Sequence, residues 1–281
     1  MKVLICGHRG MLGTDLMIRL GVDHQVIGRD IDEIDITSYD SCEETISSIG
    51  PDLVVNAAAF TDVDACESRR EACFAVNADG VANLALVCRN RGIKLVHFST
   101  DYVFNGIKNS PYNEDDPCDP LNVYGLSKLE GEQKLQGAGC DYLLIRTAWM
   151  FGKNGKNFVQ AILSKASANP VLEVVDDQQG CPTFSPDLSE AVSRLIAGSH
   201  SGIFHVTNSG QCSWFEFARQ ILKTAGIRNV EVRPISSDKL ARPACRSSYG
   251  VLNNEKYSLA TGHTLRHWKD ALAAYLKAVG H

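Results

Sequence analysis

Short apolar runs alternate with amphipathic stretches through the first half of the chain. Val3–Cys6, Gln25–Gly28, Leu53–Ala57, Lys94–Ser99 and Tyr142–Arg146 have strand length and are apolar almost throughout, without in–out alternation. A strand apolar on both sides is buried on both faces, which predicts a parallel sheet covered by helices. The helices fall between the runs, at Met11–Leu20, Tyr39–Ile49, Glu71–Arg91 and Val123–Leu135. This order predicts an α/β protein with a doubly wound parallel sheet of the Rossmann type. Its ligand site should lie beyond the carboxyl ends of the strands.

After about Gly152 the rhythm loosens. Phe158–Ala168, Pro186–Ile196, Trp214–Ala225 and Leu265–Ala278 read as helices, with Ser213 as the N-cap of the third. Val171–Val175, Gly202–Thr207 and Val230–Pro234 read as strands. The expected division is a dinucleotide-binding domain over 1–150, with segments near 186–208 packing back onto it. Residues 151–281 form mainly a smaller substrate-binding α/β domain.

Composition narrows the function classes. A formal net charge of -5 argues against nucleic-acid binding, which asks for a basic face. No run of about 18 apolar residues occurs, so no membrane span is expected. MKVLICGHRG reaches glycine too early for a secretory leader. The ten cysteines are scattered singly, without a CxxC pair or a Cys/His cluster of zinc-ligand spacing, as in a reduced cytoplasmic protein. No metal-ligating residue is singled out.

Candidate chemistry begins after the first strand, at Gly7-His8-Arg9-Gly10-Met11-Leu12-Gly13. Glycines let backbone amides approach a pyrophosphate, and the helix that follows offers the positive end of its dipole. The spacing is GxxGxxG rather than GxGxxG. At the end of the second strand, Arg29 and, from the turn, Arg9 favour a 2′-phosphate and hence NADPH, while Asp30 keeps NADH open. Asp35 and Ile36 are placed to flank the adenine. The small residues after Asn56, from Ala57 to Ala59, leave room for a flat cofactor.

Two further features point to proton chemistry. Tyr124 and Lys128 stand at i and i+4, on one helix face. A neighbouring ammonium favours the phenolate, bringing a group of ordinary pKa about 10 nearer neutrality. Ser99-Thr100 ends an apolar strand, where a hydroxyl can donate to a carbonyl oxygen gaining negative charge.

Together with NAAAFT at Asn56–Thr61, Val63-Asp64, STDYVF at Ser99–Phe104 and NVYGLSK at Asn122–Lys128, these features resemble the extended short-chain dehydrogenase/reductase superfamily. Within it, RTAWMFG at Arg146–Gly152, Asn157-Phe158, DQQGCPT at Asp177–Thr183, GIFHV at Gly202–Val206 and Arg242-Pro243 resemble the dTDP-4-dehydrorhamnose reductase family. The resemblance implies that NAD(P)H delivers hydride to the C4 ketone of dTDP-4-dehydro-L-rhamnose. Tyr124 then supplies the proton, Lys128 holds the ribose and Thr100 polarises the carbonyl. It extends cofactor contacts to Met11, Leu12, Ala58, Ala59, Phe60 and Thr61, and substrate contacts to Val63, Asp101, Tyr102, Trp149 and Arg242. His8-Arg9, Phe60, Asp62, Cys66 and Met150-Phe151 depart from the family's usual residues. A homodimer and a magnesium requirement stay open, with no carboxylate cluster of ligand spacing to support the metal. Another nucleotide-sugar reductase, an epimerase and a non-catalytic NADP-binding regulatory subunit are the alternatives. A 4,6-dehydratase is disfavoured because Asp101 is followed by Tyr102 and not by Glu.

Overall fold

The computed structural model describes all 281 residues. Strands β1 (Lys2–Cys6), β2 (Gln25–Arg29), β3 (Leu53–Asn56), β4 (Lys94–Thr100) and β5 (Tyr142–Thr147) form one sheet with Gly202–His205. The order is Gly202–His205, β5, β4, β3, β1, β2, and every neighbouring pair is parallel. The order reverses between β1 and β3, so the connections diverge there and a crevice opens past the strand ends.

Alternate residues of each strand feed opposite faces, which is why the runs are apolar throughout. Val3, Ile5, Val55, Val96 and Ile145 join α1 (Met11–Leu20) and the Ser185–Ala197 helix in one buried cluster, with Phe204 and Tyr257. Leu4, Cys6, Val54, Leu95 and Leu144 face the other way, toward α2 (Tyr39–Ile49) and the Gly80–Arg91 helix. A separate cluster gathers Phe151, Val159, Phe217, Ile221, Trp268, Leu272 and Tyr275 from the later helices. Beside it Val171–Val175 pairs in parallel with Glu231–Ile235.

The structure corrects the sequence reading at several elements. The helix expected over Glu71–Arg91 runs from Arg70 to Arg91, but between Arg70–Phe74 and Gly80–Arg91 it widens into a π-helical turn at Ala75–Asp79. The extra residue in the turn swings Asn77 inward, where it brackets Phe60: Phe60 N–H donates to Asn77 Oδ1 at 2.8 Å and Asn77 Nδ2 to Phe60 O at 3.0 Å. By length and composition alone Arg70–Arg91 could cross a membrane. In the fold Val81, Leu84, Ala85, Val87 and Cys88 are buried against the sheet. The last helix starts at Trp268 instead of Leu265, because the His267 side chain caps it by accepting from Lys269 N–H at 3.2 Å. Short helices at Val63–Ser68 and Glu255–Thr261, too brief to show periodicity, were not expected.

One ion pair ties β5 to the Val123–Gly137 helix. Arg146 donates to Glu132 through Nη2 at 2.6 Å and Nε at 3.0 Å, and through Nη1 to the Glu114 carbonyl at 3.1 Å, all away from water. Removing one partner strands the other charge in the interior. Arg146→Met is therefore expected to cost about 3–5 kcal/mol in urea unfolding. Glu132→Leu/Arg146→Met should recover most of it; equal losses in the two proteins would refute the desolvation account.

Candidate active site

The glycine turn is shaped by close approach. Gly7 has φ +77°, and a Cβ there would lie 2.7 Å from Ala58 N. A Cβ on Gly13 would overlap the Gly7 carbonyl and sit 2.8 Å from His8 Cα, so the first turn of α1 rests directly on the loop. Gly10 is the N-cap of α1 and no side chain caps that end, which leaves its amides for an anion. The Leu12 side chain is buried in the core, so only its backbone is offered to a ligand. Met11 lies against Gly152, whose Cβ would approach Met11 Cγ to 3.1 Å.

The arginines expected to read the cofactor are already paired. Arg9 contacts Asp32 and lies 3.6 Å from Glu33, and Arg29 Nη1 lies 3.4 Å from Glu33. Burial alone would raise the Asp30 carboxyl, but amide hydrogens of Arg9 and Ile31 hold it below its ordinary value. The Asp35 carboxylate turns back on Thr37, while Ile36 is buried against Gly80. Ala58 N–H donates to Asn56 Oδ1 at 3.1 Å, Ala59 and Phe60 are half-buried, and Thr61 is exposed.

The second group assembles past the end of β4. Thr100 Oγ1 donates to Asp101 Oδ1 at 3.0 Å and accepts from Tyr102 N–H at 3.2 Å. Tyr124 presents its ring to Tyr102 edge-on, with centroids 5.6 Å apart. Lys128, fully buried, donates to the Phe98 carbonyl at 2.6 Å. Burial lowers its ammonium to about 8 against the opposing pull of Glu132 and Cys73. The expected depression of Tyr124 is not the outcome: burial first, then Asp101 and Tyr102, push the phenol up, and the Thr100 hydroxyl opposes them. Asp101 is raised by burial to about 7 despite the hydrogen bond from Thr100.

Tyr102 also lines a cavity of about 780 Å³ reaching away from this centre toward Phe158, Trp214, Arg242 and Arg246. Tyr102 and Arg242 thus face the cavity as expected of substrate residues. Val63 and Trp149 are not on its wall. Trp149 adopts φ +46° and stacks at 3.4 Å on Trp214, which does line the cavity. No group of three or more His, Cys, Asp or Glu side chains is gathered as a metal site.

Four side chains at the site were not singled out from sequence. Asn77 and His97 are polar residues inside apolar elements, and that mismatch was the available signal. Arg246 is held by Asp64 through Nη1 at 2.6 Å and Nη2 at 3.0 Å, a pairing of residues far apart in the chain with no local trace. Trp214 read only as the start of a helix.

The Val123–Gly137 helix thus sets Tyr124 and a buried Lys128 past the end of a parallel sheet whose first strand runs into a glycine turn. Dinucleotide-dependent short-chain dehydrogenases and reductases are built this way, and the molecule is of that class. More narrowly, the chain belongs to the family described as the RmlD substrate binding domain, whose model matches residues 1–280. It is 40% identical over 278 residues to the spore coat polysaccharide biosynthesis protein SpsK of Bacillus subtilis, covering 98% of this chain and 97% of that one. The crystal structure of a dTDP-4-dehydrorhamnose reductase from Clostridium acetobutylicum superposes with a TM-score of 0.97 at 37% identity, over 100% of both chains. The Bacillus anthracis dTDP-4-dehydrorhamnose reductase, solved in complex with NADP, gives 0.95 at 34% identity over 99% of each.

The raised Asp101 carboxyl carries a measurable consequence. It keeps its proton up to about 7 when folded, whereas in the unfolded chain it ionises near the usual value of about 3.9. Between those values the folded state binds more protons, so this group makes stability fall as pH rises. Asp101→Asn should flatten that decline and stabilise the protein by a few kcal/mol at neutral pH, read from urea midpoints across the interval. An unchanged slope would refute a buried, proton-holding Asp101.

Proposed function

We propose that this oxidoreductase reduces the C4 ketone of dTDP-4-dehydro-L-rhamnose to dTDP-L-rhamnose, using NADPH. The observation that carries the reading is the convergence of Thr100, Tyr124 and Lys128 beyond β4, joined through Tyr102 to a cavity of nucleotide-sugar size. The family and the names of the two solved reductases support the substrate, and the NADP bound to one of them supports the cofactor.

The uncapped amides at Met11, Leu12 and Gly13 would hold the cofactor's pyrophosphate, and Lys128 its ribose. NADPH bound there supplies the hydride. The chain supplies the rest. Thr100 donates a hydrogen bond to the C4 oxygen as negative charge builds on it. Tyr124 gives that oxygen a proton, which with the hydride completes a secondary alcohol. Lys128 then replaces the tyrosine's proton. In the cavity Arg242 and Arg246 offer positive charge to the diphosphate, and the aromatic rings of Phe158 and Trp214 offer an apolar wall.

Residues 1–150, with the Ser185–Ala197 helix and Gly202–His205 on the sheet, act as the dinucleotide-binding unit, and 151–281 mainly carry the sugar nucleotide. Ten unpaired cysteines suit a reducing, cytoplasmic setting.

NADPH oxidation is to be followed with dTDP-4-dehydro-L-rhamnose generated in situ and the sugar product identified. Tyr124→Phe should bind NADPH as the parent does and lose about 100-fold or more in kcat. Wild-type rates in that variant would end the assignment, and a C3 or C5 epimer without net NADPH use would mean an epimerase. The carboxylates around Arg9 set the cofactor balance: Asp32→Asn/Glu33→Gln should improve the NADPH-to-NADH affinity ratio several-fold. An unchanged ratio would take Arg9 away from the 2′-phosphate.

A further inference from the structure

His97 sits in the middle of β4 with 1% of its surface exposed, an imidazole in a strand otherwise apolar as far as Ser99. One edge of the ring faces Asn56, its side chain and its backbone carbonyl, and the other faces Lys128. Asn56 Nδ2 lies 3.3 Å from Nδ1, and Lys128 Nζ lies 3.3 Å from Nε2. The Asn56 amide cannot turn over, because its Oδ1 accepts the Ala58 N–H at 3.1 Å and reversal would set two donors against each other. Nδ2 therefore donates and Nδ1 accepts. With Nδ1 accepting, the neutral ring carries its proton on Nε2, aimed at Lys128. An ammonium has only donors, whereas a neutral amine has a lone pair to receive that proton. Nζ in turn donates to Phe98 O at 2.6 Å. In this tautomer the hydrogen bonds run in one direction from Ala58 through Asn56, His97 and Lys128 to Phe98, and the Nε2 proton meets the lone pair of a lysine amine.

We infer that His97, its tautomer fixed by Asn56, is a positioning residue that donates to the Lys128 amine and eases the loss of the lysine's proton. Its catalytic consequence rests on the proposed reductase chemistry, but the proton on Lys128 is a property of the free enzyme. The other titratable groups acting on Lys128 are Glu132 on its own helix and Cys73 on the Arg70–Phe74 helix; both favour the ammonium, so burial and the His97 donor act against them. His97 itself stays neutral, since burial and then Lys128 hold it well below its ordinary value. A lysine that releases a proton close to neutral pH can restore the proton of Tyr124 each turnover, which an ordinary lysine of pKa about 10.4 does poorly.

The full chain labelled with [¹⁵N]histidine and [6-¹³C]lysine reads both ends of this arrangement without substrate. His97 Nδ1 should resonate as an unprotonated nitrogen and Nε2 as a protonated one. The Lys128 Cε signal, assigned by its loss in Lys128→Arg, should titrate about one pH unit higher in His97→Phe, a tenfold change in the proton equilibrium. Asn56→Asp keeps an oxygen for Ala58 and offers Nδ1 an acceptor, so the ring proton should move to Nδ1 and the lysine midpoint rise. Made in the His97→Phe background, the same change should lose most of its effect. The alkaline limb of the kcat profile should follow the lysine midpoint. A wild-type ring proton on Nδ1 overturns the inference, whether or not His97→Phe folds. So does a lysine midpoint that ignores Asn56→Asp, or one that Asn56→Asp raises equally with and without the ring. If the spectra behave as expected while the 4-keto sugar is not reduced, the proposed function fails and this inference stands.

Discussion

The bond from Lys128 to the Phe98 carbonyl fixes the Val123–Gly137 helix to the end of β4, and most of the site depends on it. A lysine with 2% exposure cannot be held by water, so backbone and neighbouring polar groups must satisfy it. The helix has to come close for that. A Cβ on Gly131 would overlap the Asn77 carbonyl, so glycine there lets the helix press onto the π turn. Asn77 Nδ2 then reaches Ser127 at 3.0 Å and brackets Phe60, tying the stretch after β3 to the same helix. Three segments from distant parts of the chain are thereby locked around Tyr124.

The fold was legible because its main sheet is buried on both sides. The apolar runs around Val3, Leu53, Leu95 and Leu143 and the helical faces between them follow from that single requirement, and most elements begin and end within a residue or two of expectation. The turn at Ala75–Asp79 was illegible for a physical reason: VNAD carries no Pro or Gly, and only the approach of Gly131 and the demands of Phe60 select a wider coil. The site was half legible. Tyr124, Lys128 and Thr100 announce themselves by spacing, whereas Arg246 and Asp64 meet only in three dimensions.

Electrostatics gave the least reliable reading from sequence. From sequence alone Arg9 and Arg29 favour a 2′-phosphate, yet Asp32 and Glu33 reach them across the turn. Charges near the surface find partners the periodicity of a helix or strand does not encode, and exposed pairs of this kind are weak enough to be exchanged for a phosphate.

Burial acts on the centre in one direction throughout. It pushes Asp101 up to about 7 and Lys128 down to about 8, so both drift toward their neutral forms, and it raises Tyr124. Burial and the loss of a neighbouring positive charge both keep a phenol's proton in place. For a dehydrogenase that would be a handicap, because alcohol oxidation needs the phenolate as base. A reductase needs the phenol as acid, and a group that holds its proton until the carbonyl oxygen becomes strongly basic delivers it only as hydride arrives. The same desolvation that makes the lysine easier to deprotonate makes the tyrosine harder to ionise, the order of proton affinities that the proposed roles of Lys128 and Tyr124 require.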